Sequence, residues 1–215
     1  MVVGLGNPGR EYSGTRHNVG FWVVNRLAKT SKVNLKRTGS MMAIAGGELA
    51  GMKLALVKPL TYVNRSGKAL GQASQWTGCD ADHTIVVYDE LDMDLGALRV
   101  RSGGGHGGHN GLKSITAAIG SEFVRIRIGI GRPQSGGEPS WDPGVVGAHV
   151  LGNPNQADRR LLDNAVALAM QAIETVITEG ADVAGTKFNR KRPPAGDTPI
   201  AKSGAGRPPA AAKDG

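Results

Sequence analysis

Thr84-Ile-Val-Val-Tyr88, running straight into Asp89-Glu-Leu-Asp-Met-Asp94, decides the fold class. An uncharged, mostly apolar run of this length reads as a strand buried on both faces, as parallel strands in α/β sheets are. Ligands of such sheets collect beyond the carboxyl ends of the strands, which makes Asp89 a candidate site residue. Outward from it, Leu98-Arg-Val-Arg101 and Val124-Arg-Ile-Arg-Ile-Gly-Ile130 alternate, apolar residues facing one way and arginines the other. Met1-Val-Val-Gly-Leu5 reads as another buried strand. Segments near Met41–Leu49 and Lys53–Lys58, linked by Ala50-Gly51-Met52, read as a hairpin that Pro59 ends. Helices interleave. One carries the stripe Val19, Trp22, Val23, Leu27, with Asn18 or Thr15 as its cap. A second spans about Ser66–Trp76. The longest runs Asn155–Gly180, with Leu161, Leu162, Ala165, Leu168, Ile173 and Val176 expected inward. Arg132–Gly144 reads as a Gly/Pro-rich loop. Alternating helices and strands with at least one hairpin specify an α/β fold on a mixed sheet.

The chain has 215 residues, 40% of them hydrophobic, enough for one core-bearing domain and an appendage. Its single cysteine, Cys79, forms no internal disulfide, which fits a reducing compartment. No apolar run reaches the ~20 residues of a membrane span, and no charged-then-apolar leader opens the chain. The expectation is therefore no membrane and a cytoplasmic location. Net charge is +8, and much of it sits at the end, where seven basic residues from Lys187 to Lys213 face only Asp197 and Asp214. Rich in Pro, Ala, Gly and Lys, residues 187–215 are expected to be a disordered tail that either attracts polyanions or keeps the protein soluble. The domain is accordingly bounded at 1–186.

Gly103-Gly-Gly-His-Gly-Gly-His-Asn-Gly111 places six glycines in nine residues, which no helix or strand interior tolerates. Leu112, Ile115 and Ile119 then fall on one helical face, with Gly120 at the stop. The loop thus delivers His109 and Asn110 to a helix start, where free N–H groups meet whatever approaches. A plain flexible loop seldom sets two histidines three apart. The arginines Arg99, Arg101, Arg125 and Arg127 lie on two strands bracketing this loop, and none of the four positions is acidic. Such a double row suits phosphates better than a mixed solvated face does.

Asn7, Tyr12, His17, Asn64, Asp89, His109 and Asn110 all lie at loop or strand ends. One histidine beside one carboxylate is the least that general-base activation of water requires, and asparagine amides can donate to a developing oxyanion. No G-x-S-x-G elbow exists, and Cys79 lies beside no such set, which argues against a covalent nucleophile. Three other readings stand beside this one. Gly4-Leu-Gly6-Asn-Pro-Gly9 spells a dinucleotide fingerprint, but Pro8 and Gly9 favour a turn, and no acidic residue follows about 20 positions on. His106 and His109 with Asp89, Asp92 and Asp94 could bind a metal, although H-x-x-H on a glycine loop lacks the helical spacing of zinc motifs. A non-enzymatic RNA-binding module would use the same arginines without needing His17.

Val2-Val-Gly-Leu-Gly-Asn-Pro-Gly9, Tyr12, Thr15-Arg-His-Asn-Val-Gly20, Lys58-Pro-Leu-Thr-Tyr-Val-Asn-Arg-Ser-Gly67, Asp89-Glu-Leu-Asp92, Gly103–Leu112 and Arg127-Ile-Gly-Ile-Gly131 resemble, in order, the bacterial peptidyl-tRNA hydrolases. The likeness spans residues 2 to about 180. It implies one α/β domain with a twisted mixed sheet surrounded by helices. It also implies a cytoplasmic monomer without metal or cofactor that cleaves the ester of peptidyl-tRNA. By the same resemblance, His17 is the general base, Asp89 orients it, and Asn7 distinguishes blocked from free α-amino groups. Tyr12, Tyr62, Asn64 and Asn110 fall among substrate-binding positions, Asn64 and Asn110 also as holders of the water or oxyanion, and His109, which the glycine loop delivers beside Asn110, is expected to bind substrate with them. Arg101 and Arg127 match positions that meet the tRNA, and Arg99 and Arg125 join them from strand alternation alone. Tyr62 and Tyr88 stand where Phe and His are common in the family, and Val63 where Met is.

Overall fold

The computed structural model describes residues 1–189. Among these residues nine strands and six α-helices follow one another as β1 (Val2–Gly4), α1 (Val19–Thr30), β2 (Lys36–Thr38), β3 (Met42–Leu49), β4 (Met52–Pro59), α2 (Ser66–Thr77), β5 (Ile85–Glu90), β6 (Leu98–Ser102), α3 (Asn110–Ile119), β7 (Val124–Gly129), β8 (Gln134–Ser135), β9 (Glu138–Pro139), α4 (Pro143–Val150), α5 (Gln156–Glu179) and α6 (Ala181–Phe188). Seven strands form one sheet in the order β2-β3-β4-β1-β5-β7-β6. The central strands β4, β1, β5 and β7 run parallel, while β2, β3 and β6 are antiparallel to their neighbours. The mixed α/β sheet expected from the sequence is thus present.

β5 is central because it is apolar on both sides. Ile85 and Val87 enter the cluster beneath α1 and α5, whereas Val86 and Tyr88 enter the cluster beneath α2 and α3. Helices therefore cover both faces. The β3–β4 hairpin turns through Ala50 and Gly51, both at positive φ, as a two-residue turn matched to strand twist requires. α1 lies against the sheet with almost nothing between them: a methyl group on Gly4 or Gly20 would collide with backbone atoms of the other element. That close approach sets the distance from the start of α1 to the end of β5.

α5 is long enough to cross a membrane, with a mean hydropathy of 1.2 over its most apolar window. Here it serves as a core helix, burying Leu162, Ala165, Val166, Ala169, Ala172 and Ile173. Leu168, expected inward, is exposed; Leu161 and Val176 are half-buried.

Two stretches differ from expectation. Residues 132–144 are not loop throughout: β8 and β9 form a small ribbon, and α4 starts at Pro143, capped by Asp142 Oδ1 accepting from Gly144 N and Val145 N, both at 2.9 Å. Nor does regular structure stop at residue 186. α6 reaches Phe188, which packs on the core, and Asn189 binds the outer edge of β6. Its Oδ1 accepts from Val100 N at 2.6 Å and its Nδ2 donates to Val100 O at 2.8 Å. The remainder of the expected tail, 190–215, lies outside the described residues.

Candidate active site

The site gathers at the carboxyl ends of the parallel strands. β1 runs into the turn that carries Asn7, β4 into Tyr62–Asn64, and β5 carries Asp89 as its last residue but one. His17 sits in a single 3-10 turn, Arg16–Asn18, immediately before α1. It is only 7% exposed, because the tight seat of α1 draws this turn onto the end of β5. His17 Nδ1 lies 2.9 Å from Asp89 Oδ1. Asp89 is 5% exposed. Burial pushes its carboxyl up, but the charge of His17 and hydrogen bonds from His109 and His17 outweigh that and hold it well below the usual carboxylate range. For His17, burial pulls downward, yet the Asp89 charge and hydrogen bond win, so its pKa stands above the ordinary histidine value. An ionised carboxylate only accepts, so Nδ1 carries the hydrogen and Nε2 is the basic atom.

Asn7 is fixed by three bonds. Its backbone N donates to Asn18 Oδ1 at 2.8 Å, and its backbone O accepts from Asn18 Nδ2 at 3.0 Å. Its side-chain Oδ1 accepts from Val63 N at 3.0 Å, which leaves Nδ2 as its free donor. Asn18, expected as a helix cap, makes no side-chain cap bond; its amide clamps the Asn7 turn instead. The sequence offered no sign of this beyond an amide residue eleven positions away. Val63, in place of the common Met, packs beside the second core cluster, and a methyl group on Gly111 would press on it.

The glycine loop ends as expected, with His109 and Asn110 at the start of α3. Gly103, Gly104, Gly107 and Gly108 all have positive φ, which explains why side chains are missing there. His109, expected to contact substrate, has both ring nitrogens engaged. Nδ1 accepts from Gly111 N at 3.1 Å and Leu112 N at 3.3 Å, while Nε2 lies 3.4 Å from Asp89 Oδ1. Its ring meets Tyr88 edge-on, with centroids 5.1 Å apart. Asn64 and Asn110 are exposed around this cluster, Tyr62 is 59% exposed, and Tyr12 is half-buried.

The arginine rows form as the alternation predicts, Arg99 directly opposite Arg127 and Arg101 opposite Arg125. Their availability differs. Arg125 is 2% exposed, stacks 4.3 Å over Phe123, and donates to the carbonyls of Gly104, Gly105 and Ser121. It is a strut of the glycine loop, and its placement on a phosphate surface is corrected accordingly. Arg127 is paired with Glu90 through Nε at 3.0 Å and Nη2 at 2.7 Å. Glu90 escaped the charge count because it lies on neighbouring β5. Arg99 and Arg101 are exposed and make no ion pair among the described residues.

Beside Asp89 and His109 opens a cleft of about 230 Å³, also lined by Glu90, Gly107, Gly108 and Arg132. Arg132, which sequence reading passed over, bonds Asp92 at 2.7 Å and stacks 3.7 Å from the exposed Trp141 ring. Of the acids and histidines proposed for a metal, only Asp89 and His109 come together. With His17 they bring three ligand atoms within 4.8 Å of one another. A metal on His109 Nε2 would leave the proton on Nδ1, facing two backbone N–H donors, so the donor set fits an ion poorly. Gly4–Gly9 opens a turn and not a helix, as its Pro8 implied.

The profile of the family described as Peptidyl-tRNA hydrolase matches residues 1–195. A peptidyl-tRNA hydrolase of Thermoanaerobacter sp. (strain X514) is 42% identical over 190 residues, 88% of this chain and 98% of its own length. That of Acinetobacter baumannii (strain AYE) is 39% identical over 194 residues, 90% of this chain and 97% of its own. The crystal structure of peptidyl-tRNA hydrolase from Acinetobacter baumannii at 1.00 Å superposes with a TM-score of 0.81 at 38% identity, covering 89% of this chain and 94% of that one. With the fold, the motifs and the matched length in agreement, the chain belongs to the peptidyl-tRNA hydrolase family.

Proposed function

We propose that this protein hydrolyses the ester between a peptide, or an N-blocked aminoacyl group, and tRNA, recycling tRNA from prematurely released peptidyl-tRNA. The observation that carries the reading is the buried His17–Asp89 pair with Nε2 left as the basic atom, in a chain of this family. His17 Nε2 takes a proton from a water whose oxygen attacks the ester carbonyl carbon. The tetrahedral oxyanion meets amide donors from Asn64 and Asn110. Its collapse breaks the bond to the ribose oxygen, which receives the proton held by His17. The products are a free peptide acid and a tRNA with its terminal hydroxyl restored, and no covalent intermediate forms. Asn7 Nδ2, oriented by Val63, donates to a carbonyl of the blocked amino group. Tyr12 and Tyr62 flank the peptide, and Arg99 and Arg101, with Arg127, meet tRNA phosphates.

The enzyme acts in the cytoplasm, as a monomer and without a metal ion. Hydrolysis at a divalent ion is the second reading, favoured only by the 4.8 Å grouping of His17, Asp89 and His109. One assay tests both: release of N-acetylaminoacyl groups from tRNA by wild type and His17→Ala, each with and without EDTA. Activity that survives chelation and vanishes with His17 is expected. Loss in EDTA would favour the metal, and an active His17→Ala would remove the base. Size-exclusion chromatography of the full chain should give a single monomer peak.

A further inference from the structure

The geometry points to His109 as a second positioning residue of the reaction, a neutral Nε2–H imidazole fixed by capping helix α3, which steadies the Asp89 carboxylate and thereby sets how readily His17 accepts a proton. The inference rests on the proposed role of His17 as base.

The tautomer follows from the partners. Gly111 N and Leu112 N can only donate, so Nδ1 of His109 presents a lone pair to both. Histidine thus does here what Asp, Asn or Ser usually does at a helix N-cap. With Nδ1 occupied, the ring proton sits on Nε2, which points at Asp89 Oδ1, the same oxygen that His17 Nδ1 contacts. The ring is held from the side by Tyr88, on the opposite face of β5 from Asp89. The titratable groups facing His17 are Asp89 from β5 and His109 from the glycine loop, whose ring centroid is 5.8 Å away. Two donors on one carboxylate oxygen share its charge, so each draws on what the other receives. Removing the His109 donor leaves more negative charge for His17, which favours imidazolium and costs neutral base.

Two substitutions separate this role from the cap. In His109→Asn, Oδ1 occupies the place of Nδ1 and keeps the cap, but nothing reaches Asp89. In His109→Gln, Nε2 occupies the place of the ring Nε2 and restores a donor to Asp89, while the cap is weakened. NMR titration of the His17 ring in the full chain, without substrate, measures the effect independently of turnover. His109→Asn should keep the wild-type melting temperature and raise the His17 midpoint by about half a pH unit or more. The acid limb of kcat/KM on N-acetylaminoacyl-tRNA should move up by the same amount. His109→Gln should melt lower yet titrate and respond to pH like wild type. An unmoved His17 midpoint in His109→Asn would overturn the inference, as would an equal shift in both variants. If wild type failed to hydrolyse the substrate, the proposed function would fall while the NMR shift still decided the role of His109.

Discussion

The end of β5 and the rim of β6 both gather polar groups and use them oppositely. At β5, His17, Asp89, His109 and Asn7 are largely buried, and nearly every polar atom already has a partner inside the protein. At β6, Arg99 and Arg101 stand exposed and without ion-pair partners among the described residues. The difference separates two tasks. Proton transfer needs fixed geometry and a perturbed pKa, which only a desolvated, interlocked cluster supplies. Gripping a charged polymer needs accessible cations that displace the counterions condensed on its phosphates. Arg125 began on the rim by sequence and belongs to the interlocked side by structure, whereas Arg127 stands between the two, half-buried and paired with Glu90.

The sharpest way to break the contrast is at His17. His17→Ala should lower kcat by about 10²- to 10⁴-fold while tRNA binding changes little, measured by single-turnover hydrolysis beside filter binding. Asp89→Asn keeps the shape but no longer favours the Nδ1–H tautomer, so kcat should fall about 10²-fold or more. Wild-type activity in Asp89→Asn would make the buried pair a packing feature only.

The arginines test the same division from the other side. Arg125→Ala, which orphans three loop carbonyls, should cost about 2 kcal/mol of stability in urea unfolding. Arg99→Ala and Arg101→Ala should leave stability unchanged and each flatten the slope of log Kd for tRNA against log salt by about one. A reversed pattern would exchange strut and grip. The smallest effect concerns pH. Because His17 stands above its ordinary 6.5, the acid limb of kcat/KM should lie above that value. The imidazolium–carboxylate pair stabilises the fold below 6.5 and is lost as pH rises through the raised value. The melting temperature of wild type relative to His17→Gln should therefore fall over the same interval in which activity rises.

The legibility of these features in the sequence followed their range. β5, the β3–β4 hairpin and α5 declared themselves by periodicity and turn residues, because one element's burial pattern is written along its own length. α4 and α6 did not, being eight residues each and glycine-bearing. His17 and Asp89 are 72 residues apart, and their partnership came from family resemblance, not from spacing. Alternation found the arginine rows, but only the register of β5 against β7 reveals that Glu90 neutralises Arg127. For His109 the missing information was which ring nitrogen meets the helix start, a matter of angle that no letter encodes.

The carboxamide of Asn189 has a consequence for how the molecules behave in a crowd. An open sheet margin is a template on which a stranger's backbone can extend the ladder. By offering Val100 one donor and one acceptor, that amide imitates a single peptide unit and occupies the middle rung of β6 with something that cannot propagate. A plug at the rim, supplied by the residue that caps α6, denies a second chain's backbone the middle of that strand.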